Sequence, residues 1–600
     1  MLKLFNGSKR HIAGSAGVVA IAALFAASDS SAQVQTPSAR AQTAAGSLLQ
    51  SVPAAAPIEQ SQSIELIEQR LQNTKAMTDV EGLKLEVKNI KISGLTVIPP
   101  SELMPVVKQF IGPDKKFQDL LDAAGAIKRE LARRGYFLAD AIIPQQKIAD
   151  GVVEILVVEG RIGKVKVEFD EDVKVNRDLI NAYAYKLKAD TVITARDVER
   201  ALFLISDLRG INARSVFSPG EKIGTANLVI KVSKAKSVDG NFELDANGSV
   251  YTGVYRGAGT VNFNNPFGQG DMFSALYSRS LDAGIRSLDV GGQPLDTGDQ
   301  DYSRLTYLAP LGRWGSKVGV AYSELHYKLG TADFSPLQAS GGATVSTIMG
   351  VQPFIRSRNV NLMVMYQFDK RTFHDVQQAT ARVEDKVAKV YSIAVTGDLR
   401  DTLLGGGINV GNLAVTSGRV DIVQDGLRIA DLGANGGLNT QGEYGKANFT
   451  YSRLQQLTKS TGLYLSYTEQ WASKNLDTSE KFSLGGPNGV RAYPGGEGSG
   501  DAGFVGTVEM RFGMPRSNKL PGDMALVAFY DYAWSRQNIK PTSNNPLVQT
   551  SLRGVGVGLN WEVQNGWSMR TTAAWRITQK PTSEFIDPQP RVYFQLNKKM

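Results

Sequence analysis

The chain has 600 residues, a length that predicts more than one domain. It contains no cysteine, which excludes a disulfide framework, a thiolate metal site and a cysteine nucleophile. Its formal charge is +9, but basic and acidic residues are interleaved along the chain, whereas nucleic-acid-binding proteins concentrate basic residues on one face. No nucleic acid is therefore expected as a partner.

Residues 1–32 are predicted to be an export signal peptide. Lys3 and Arg10 lie in a basic start, an apolar run covers residues 12–27, and small residues lead to Ala32, which fits a cleavage site. The run has about 16 residues, fewer than the roughly 20 that a membrane-spanning helix needs, which favours a signal peptide over the alternative of a retained membrane anchor. No other segment offers about 18 consecutive apolar residues, and any further membrane crossing must use a closed barrel.

Residues 33–84 are predicted to hold a helix and a linker. They are rich in alanine, glutamine, serine and proline, and two stretches have helical character, Ser38–Gln50 and Ile64–Gln72. Disorder over the whole segment is the alternative, since the composition alone fits it equally well.

Two small α/β modules follow, over residues 85–160 and 161–236. Each has the predicted order strand, helix, helix, strand, strand. In the first module, apolar residues recur at helical spacing from Phe117 to Leu131. In the second, Thr194 fits the start of a capping box. Because two consecutive copies support each other, the region is interpreted as a modular array.

Residues 237–600 show the alternation that is typical of a transmembrane β-barrel. Segments of about ten residues have one apolar and one polar face, as where Phe504 and Val508 alternate with Glu509. These segments predict about 16 antiparallel strands, joined alternately by short turns and long loops. A soluble β-sandwich also alternates, but its strands rarely reach this length so often.

Several short sequences carry a resemblance to a known family. They are Arg133-Arg134-Gly135-Tyr136, Val158-Glu159-Gly160-Arg161-Ile162, Asp207-Leu208-Arg209-Gly210, Asn265-Pro266-Phe267-Gly268-Gln269-Gly270-Asp271, Arg356-Ser357-Arg358, the glycine-rich stretch Ser483–Asp501 and the strand sequence Phe529-x-Asp531-x-Ala533. The chain resembles the two-partner secretion transporters, the TpsB family, and in particular their haemolysin secretion and activation branch. The likeness covers nearly the whole chain after residue 32.

The resemblance implies a fold. That fold is a transmembrane β-barrel of about 16 antiparallel strands, with an N-terminal helix and two small α/β modules of the POTRA type. The loop of residues 472–502 lies between strands 11 and 12 by the strand count, and in the family this loop folds into the barrel lumen. The helix near Ser38–Gln50 is expected to plug the same lumen.

Two motifs are expected to meet inside the barrel. The lumen loop motif consists of Val490, Arg491, Ala492 and Tyr493, and the barrel-wall partner motif consists of Phe529, Asp531 and Ala533. By resemblance, a charge-assisted pair between Arg491 and Asp531 holds the loop in the lumen, although spacing alone leaves the two residues unconnected. The family more often has glycine at positions 492 and 533, so a different local backbone is expected here.

The implied function is that of an outer-membrane protein of a Gram-negative bacterium, with its modules in the periplasm. It would export a large partner exoprotein (TpsA-like, a haemolysin or adhesin) to the cell surface by two-partner secretion. No nucleotide hydrolysis is expected, because the motif G-x-x-x-x-G-K-[ST] is absent. Outer-membrane lipid and periplasmic chaperones are the other expected partners. The alternatives are an insertase of the BamA type, which typically carries more POTRA modules, and a passive porin.

No catalytic, cofactor or metal site is predicted. His326 and His374 lie in no arrangement typical of a catalytic triad or of metal ligands, so the chain is not expected to be an enzyme.

Cargo docking is expected at the edge of the second module, because an extended partner segment can add a strand to an exposed sheet edge. The residues expected to form this docking site are Leu202, Ile205, Ile211 and Phe217.

Overall fold

The structure, a computed structural model, describes residues 44–51, 66–67, 84–148, 150–222, 224–281, 298–331, 335–516, 520–584 and 587–600. The predicted signal peptide and most of the predicted linker lie outside these residues. None of the helices in these stretches is long and apolar enough to cross a membrane.

The region before the barrel consists of two modules and the segments that precede them. Apart from short 3₁₀ turns, its helices are α1 (Ala45–Ser51), α2 (Met104–Val107), α3 (Phe117–Arg133), α4 (Arg177–Tyr183) and α5 (Ala195–Ser206). Its strands are β1 (Leu66–Ile67), β2 (Lys84–Val87), β3 (Asn89–Ser93), β4 (Gly112–Lys116), β5 (Asp140–Ile142), β6 (Val152–Val158), β7 (Arg161–Phe169), β8 (Ile211–Pro219) and β9 (Thr225–Lys234).

The first module packs α3 against a sheet in which β6 lies between β3 and β5. Leu120, Ile127 and Leu131 fall on one face of α3 and are fully buried, which explains why this segment is helical and where it docks. At the end of the helix, hydrogen bonds from Arg133 and Arg134 lower the pKa of Glu130 to about 2.

The second module has a four-stranded sheet in the order β1-β8-β9-β7. The backbone N–H of Asp197 donates to Thr194 Oγ1 at 3.2 Å, so the predicted cap of α5 is confirmed.

The predicted helix at Ile64–Gln72 is wrong at Leu66–Ile67, which forms β1 and pairs in parallel with β8. An open sheet edge offers these backbone groups hydrogen-bond partners that so short a helix would lack.

Glu159 holds the junction between the two modules. Its carboxylate accepts hydrogen bonds from Thr96 Oγ1 at 2.7 Å, from the backbone N–H of Val97 at 2.9 Å and from Arg161 at 3.1 Å. Burial alone would raise the pKa of Glu159, but the hydrogen bonds from Thr96 and Val97 and the charge of Arg161 outweigh burial and lower the pKa. The carboxylate is therefore ionised when the modules are in contact.

The rest of the chain forms one closed barrel, in which each strand pairs with the next and the last pairs with the first. Its strands are β10 (Val238–Asp245), β11 (Arg256–Asn264), β12 (Met272–Ser280), β13 (Asp299–Leu311), β14 (Ser316–Lys328), β15 (Ala339–Arg356), β16 (Val360–Gln377), β17 (Arg382–Asp401), β18 (Gly407–Ile422), β19 (Gly442–Gln456), β20 (Thr461–Ala472), β21 (Ala502–Gly513), β22 (Asp523–Gln537), β23 (Val548–Glu562), β24 (Trp567–Arg576) and β25 (Arg591–Lys599). The prediction of about 16 antiparallel strands is confirmed. A short helix, α6 (Asp425–Asp431), lies in the loop between β18 and β19.

Successive residues of each strand alternate between the lumen and the outer face of the barrel. On β17, Tyr391, Ile393 and Val395 are exposed on the outer face, whereas Ala388 and Val390 are buried on the inner one. A band of exposed apolar side chains is typical of a wall that faces lipid.

The second module is fixed to the barrel rim at which β10 begins. Arg356 donates to both carboxylate oxygens of Asp207, at 2.8 and 2.7 Å, and its guanidinium carbon lies 4.8 Å from the centroid of the Phe203 ring. The backbone N–H of Arg209 donates to the carbonyl oxygen of Gly270 at 3.2 Å. Three of the sequences that carry the family resemblance therefore meet at one seam between module and barrel.

Candidate functional site

The loop of residues 473–501 turns back into the barrel lumen and is densely packed there. Leu484, Val490 and Tyr493 are fully buried. A Cβ on Gly489 would lie 2.1 Å from the carbonyl oxygen of Leu484, so only glycine allows this close approach. The glycine-rich composition of the loop permits tight folding inside the barrel.

Arg491 and Asp531, one from each predicted motif, form a bidentate ion pair. Nε and Nη2 of Arg491 each donate to a carboxylate oxygen of Asp531 at 2.9 Å, and the backbone N–H of Arg491 donates to the same carboxylate at 3.1 Å. The two side chains are 4% and 0% exposed. The guanidinium carbon also lies 3.3 Å from the ring centroid of Phe529. The structure therefore brings the two motifs into direct contact.

Glu509 completes this cluster, a role that was not predicted from the sequence. Its carboxylate accepts a hydrogen bond from Arg491 Nη1 at 2.9 Å and another from Arg511 Nε at 2.7 Å. Thr507 Oγ1 donates to Asp531 at 2.9 Å. Strand alternation could have identified Glu509 and Thr507, because it places both on the polar face of β21, beside the polar face of β22.

The alanines that replace the family's more usual glycines fit without backbone strain. Ala492 is buried, has no positive φ and lies against Gly554 of β23, where a Cβ would come within 2.7 Å of the Ala492 Cβ. Ala533 is fully buried. Tyr493, the last residue of the loop motif, donates from its hydroxyl group to the carbonyl oxygen of Gln579 at 2.8 Å.

Buried ion pairs hold the first limb of the loop against the barrel wall. Glu480 pairs with Arg371 at 2.7 Å and with Lys446 at 2.8 Å. Asp477 pairs with Lys386 at 2.8 Å. These partners lie on three different strands of the barrel, so the loop is attached to the wall at several points besides Arg491.

The helix α1 lies in the lumen between this limb and the wall. Ala45 is fully buried, and its backbone N–H donates to Asp375 Oδ1 at 2.9 Å. Gln50 Nε2 donates to the carbonyl oxygen of Ser479 at 2.5 Å. Of the predicted helix Ser38–Gln50, the residues before position 44 lie outside the described residues.

The four residues predicted to form the docking site lie in the core of the second module. Their exposed fractions are 0% for Leu202, 0% for Ile205, 2% for Ile211 and 1% for Phe217. The hydrophobic core joins α5 directly to β8, so these side chains lie beneath the sheet and line no open groove. The edge of β8 is itself covered at Ser215 and Val216, where β1 pairs with it.

Comparison with known proteins gives the chain a family. The model of the family described as haemolysin secretion/activation protein ShlB/FhaC/HecB matches residues 224–561, more than half of the chain. A model of the POTRA domain of ShlB type matches residues 85–160. The chain belongs to the haemolysin secretion/activation family.

Curated relatives resemble the chain over most of its length. The heme/hemopexin transporter protein HuxB of Haemophilus influenzae strain 86-028NP is 27% identical over 503 residues, covering 83% of this chain and 83% of the relative. The outer membrane transporter CdiB of Escherichia coli O6:K15:H31 is 23% identical over 484 residues, covering 80% and 77%.

Two solved structures share the fold. CdiB from Escherichia coli has a TM-score of 0.63 at 20% identity and covers 88% of this chain and 93% of its own. CdiB from Acinetobacter baumannii has a TM-score of 0.55 at 18% identity and covers 90% and 94%. At these identities the likeness concerns the fold alone.

The family assignment identifies the functional class of the protein. The chain is an outer-membrane transporter of the two-partner secretion type, which exports a partner exoprotein. Its POTRA region lies in the periplasm, so the rim that carries the modules is periplasmic and the opposite end of the barrel is extracellular. The insertase and porin alternatives are set aside, and the members of the family are transporters.

Proposed function

We propose that this transporter passes a large haemolysin- or adhesin-like partner through the lumen of its barrel, and that α1 and the loop of residues 473–501 close this path at rest. The observation that carries the proposal is the position of α1, which is hydrogen-bonded to the wall at Asp375 and to the loop at Ser479. A barrel of this strand number leaves a channel unless its lumen is filled. An exported chain therefore needs α1 to leave.

The chain is proposed to have the five parts that its sequence predicts. Residues 1–32 act as the signal peptide, 33–84 as plug helix and linker, 85–160 and 161–236 as the two POTRA domains and 237–600 as the barrel. Nucleotide hydrolysis and enzymatic steps have no part in it. Periplasmic chaperones that keep the partner extended and outer-membrane lipid around the wall are the further partners proposed.

Docking of the partner is proposed at the backbone of β8. An extended segment of the partner would add a strand to this edge, with Leu202, Ile205, Ile211 and Phe217 supporting the sheet from below. Because β1 already pairs at Ser215 and Val216, the chain's own linker competes for two positions of the same edge. Partner binding would then displace β1.

An engineered disulfide tests the proposal, since the chain contains no cysteine of its own. A Cβ on Gly46 would lie 2.8 Å from the Cβ of Ser479, and a shift of about 1 Å reaches the roughly 3.8 Å of a disulfide. Gly46→Cys with Ser479→Cys should stop export when oxidised and restore it on reduction. Each single variant, treated in the same way, is the control. Normal export with the disulfide formed would exclude a lumen path that α1 must vacate.

A further inference from the structure

A row of three basic residues crosses the outer face of the barrel. Lys370 of β16 lies directly opposite Lys389 of β17, and Lys389 lies directly opposite Arg419 of β18. All three are exposed, whereas the adjacent residues Asp369 and Val390 are buried on the inner face. Alternation along the strands therefore directs the whole row away from the lumen, toward the membrane.

The height of the row places it at the extracellular boundary of the membrane. Strand β16 begins at Val360, beside the periplasmic seam, and Lys370 follows ten positions later. Ten residues span about 34 Å along a strand, or about 25 Å along the axis of a barrel with strands tilted by about 40°. This height matches the roughly 25 Å of the apolar band of outer-membrane barrels.

An aromatic pair lies immediately below the row. Phe368 and Tyr391 face each other one outward step nearer the periplasm, with ring centroids 4.7 Å apart. Exposed Ile393 and Val395 continue the apolar surface beneath Tyr391. Aromatic side chains of this kind mark the membrane–water interface, so the row lies at the level of the outer headgroups.

The two lysines have no counterion among the residues that the structure describes. Like charges directly opposite each other on neighbouring strands are destabilising. Within the part of the chain that the structure describes, neither Lys370 nor Lys389 forms a hydrogen bond or an ion pair. Arg419 is partly neutralised, because its Nε donates to Asp421 at 2.9 Å, and Glu443 lies opposite it at the end of the row. The middle of the row is therefore a place where an external anion would relieve repulsion.

We infer that this row binds the phosphate groups of the phosphorylated glycolipid in the outer leaflet. The ligand must reach a surface that borders both headgroups and acyl chains, which a membrane-resident anion does and a soluble acidic peptide does not. Lysine ammonium groups act as point charges toward phosphate, and the guanidinium of Arg419 adds a planar donor at one end. The site is separate from the export path, and it gives the barrel a lipid-specific contact between β16 and β18.

The test uses the full chain in detergent micelles and measures retention of lipid A by native mass spectrometry. Diphosphorylated lipid A and its dephosphorylated form are the two probes. The test variant carries Lys370→Gln with Lys389→Gln, and a second variant carries Lys370→Arg with Lys389→Arg. A control with the same change of charge carries Lys108→Gln and Lys459→Gln, two exposed lysines far from the row. Heat-modifiable mobility on gels verifies that every barrel is folded.

The wild-type chain should retain the diphosphorylated form and release the dephosphorylated one. Each lysine removed should weaken retention about fivefold, so the glutamine pair should lose about 25-fold, while the arginine pair and the control stay within twofold of wild type. Equal retention of both forms of lipid A, or retention by the folded glutamine pair within twofold of wild type, would overturn the inference.

Discussion

Gly46 of the plug helix lies against Ser479 of the inward loop so closely that a Cβ at position 46 would come within 2.8 Å of the Cβ of Ser479. The same stretch of loop is attached to the wall through Glu480 and its two cationic partners. The helix α1 therefore packs against a part of the loop that ion pairs hold to the barrel wall. We therefore expect α1 to leave the lumen while the loop stays in place.

Enlarging Gly46 should open the plug. Gly46→Ala places one carbon in the contact with Ser479 and Gly46→Leu places four there, and overpacking of this kind costs about 1–3 kcal/mol. We expect conductance in planar bilayers to rise in the order glycine, alanine, leucine, with export intact. Equal conductance of the three proteins would show that this contact does not hold the helix.

Removing Arg356 should loosen the second module from the barrel. Arg356→Ala leaves the carboxylate of Asp207, only 13% exposed, without its bidentate partner, and breaking such a pair costs about 3–5 kcal/mol. Spin labels at Asp172 and Leu457 should report a broader distance distribution, and export should fall. Arg358→Ala is the matched control, because Arg358 is 48% exposed and lies 4.0 Å from its acidic partner. A similar broadening in both variants would assign no special role to Arg356.

The junction between the two modules should weaken in acid. The folded pKa of Glu159 is lowered, so its contribution to stability is present above the ordinary carboxyl pKa near 4.3 and is lost as the pH falls through the lowered value. Glu159→Gln should reduce amide protection at Thr96 and Val97 at pH 7, and the difference from wild type should shrink toward pH 3. Hydrogen exchange with mass spectrometry measures this. A difference that stays constant over this range would mean that the charge of Glu159 is not what holds the junction.

Removing β1 from the edge of β8 should strengthen binding of the partner exoprotein. Ile67→Pro removes a backbone donor from β1, whereas the control Ile67→Ala keeps the backbone and its pairing. We expect faster amide exchange around Ser215 and Val216 in the proline variant, and about fivefold tighter binding of the partner exoprotein, since the competing strand is gone. Unchanged exchange and affinity in the proline variant would remove β1 from the docking step.

The features that could be predicted from the sequence are those whose residue pattern repeats along the chain. Alternation between lipid and lumen identified the strands, and helical periodicity identified α3, because each signal is averaged over many residues. The strand β1 was misread as helix because two residues carry no period. Its conformation is set by an edge that lies about 150 positions later in the chain, which is a register problem that local pattern cannot solve.

The candidate site also has one part that could be predicted from the sequence and one part that could not. The polar face of β22 shows that Asp531 points inward, but spacing alone could not join it to Arg491, and only the family resemblance did so. Strand alternation places Glu509 on a polar face, but its pairing with Arg491, like that of Arg371 with Glu480, depends on the path of the loop through the lumen. That path is determined by buried contacts between distant strands, of which the glycine-rich sequence gives no direct sign.

We expect Arg491 and Asp531 to act as one unit that holds the loop in the lumen, and a double-mutant cycle on export tests this coupling. Removing either partner leaves a buried charge, which costs about 3–5 kcal/mol, so Arg491→Ala and Asp531→Ala should each cut export strongly while the barrel still inserts. The double variant should be less impaired than the sum of the two single losses, because no unpaired charge of the pair remains. Strictly additive losses would show that the two residues act independently and that their pairing does not hold the loop in the lumen.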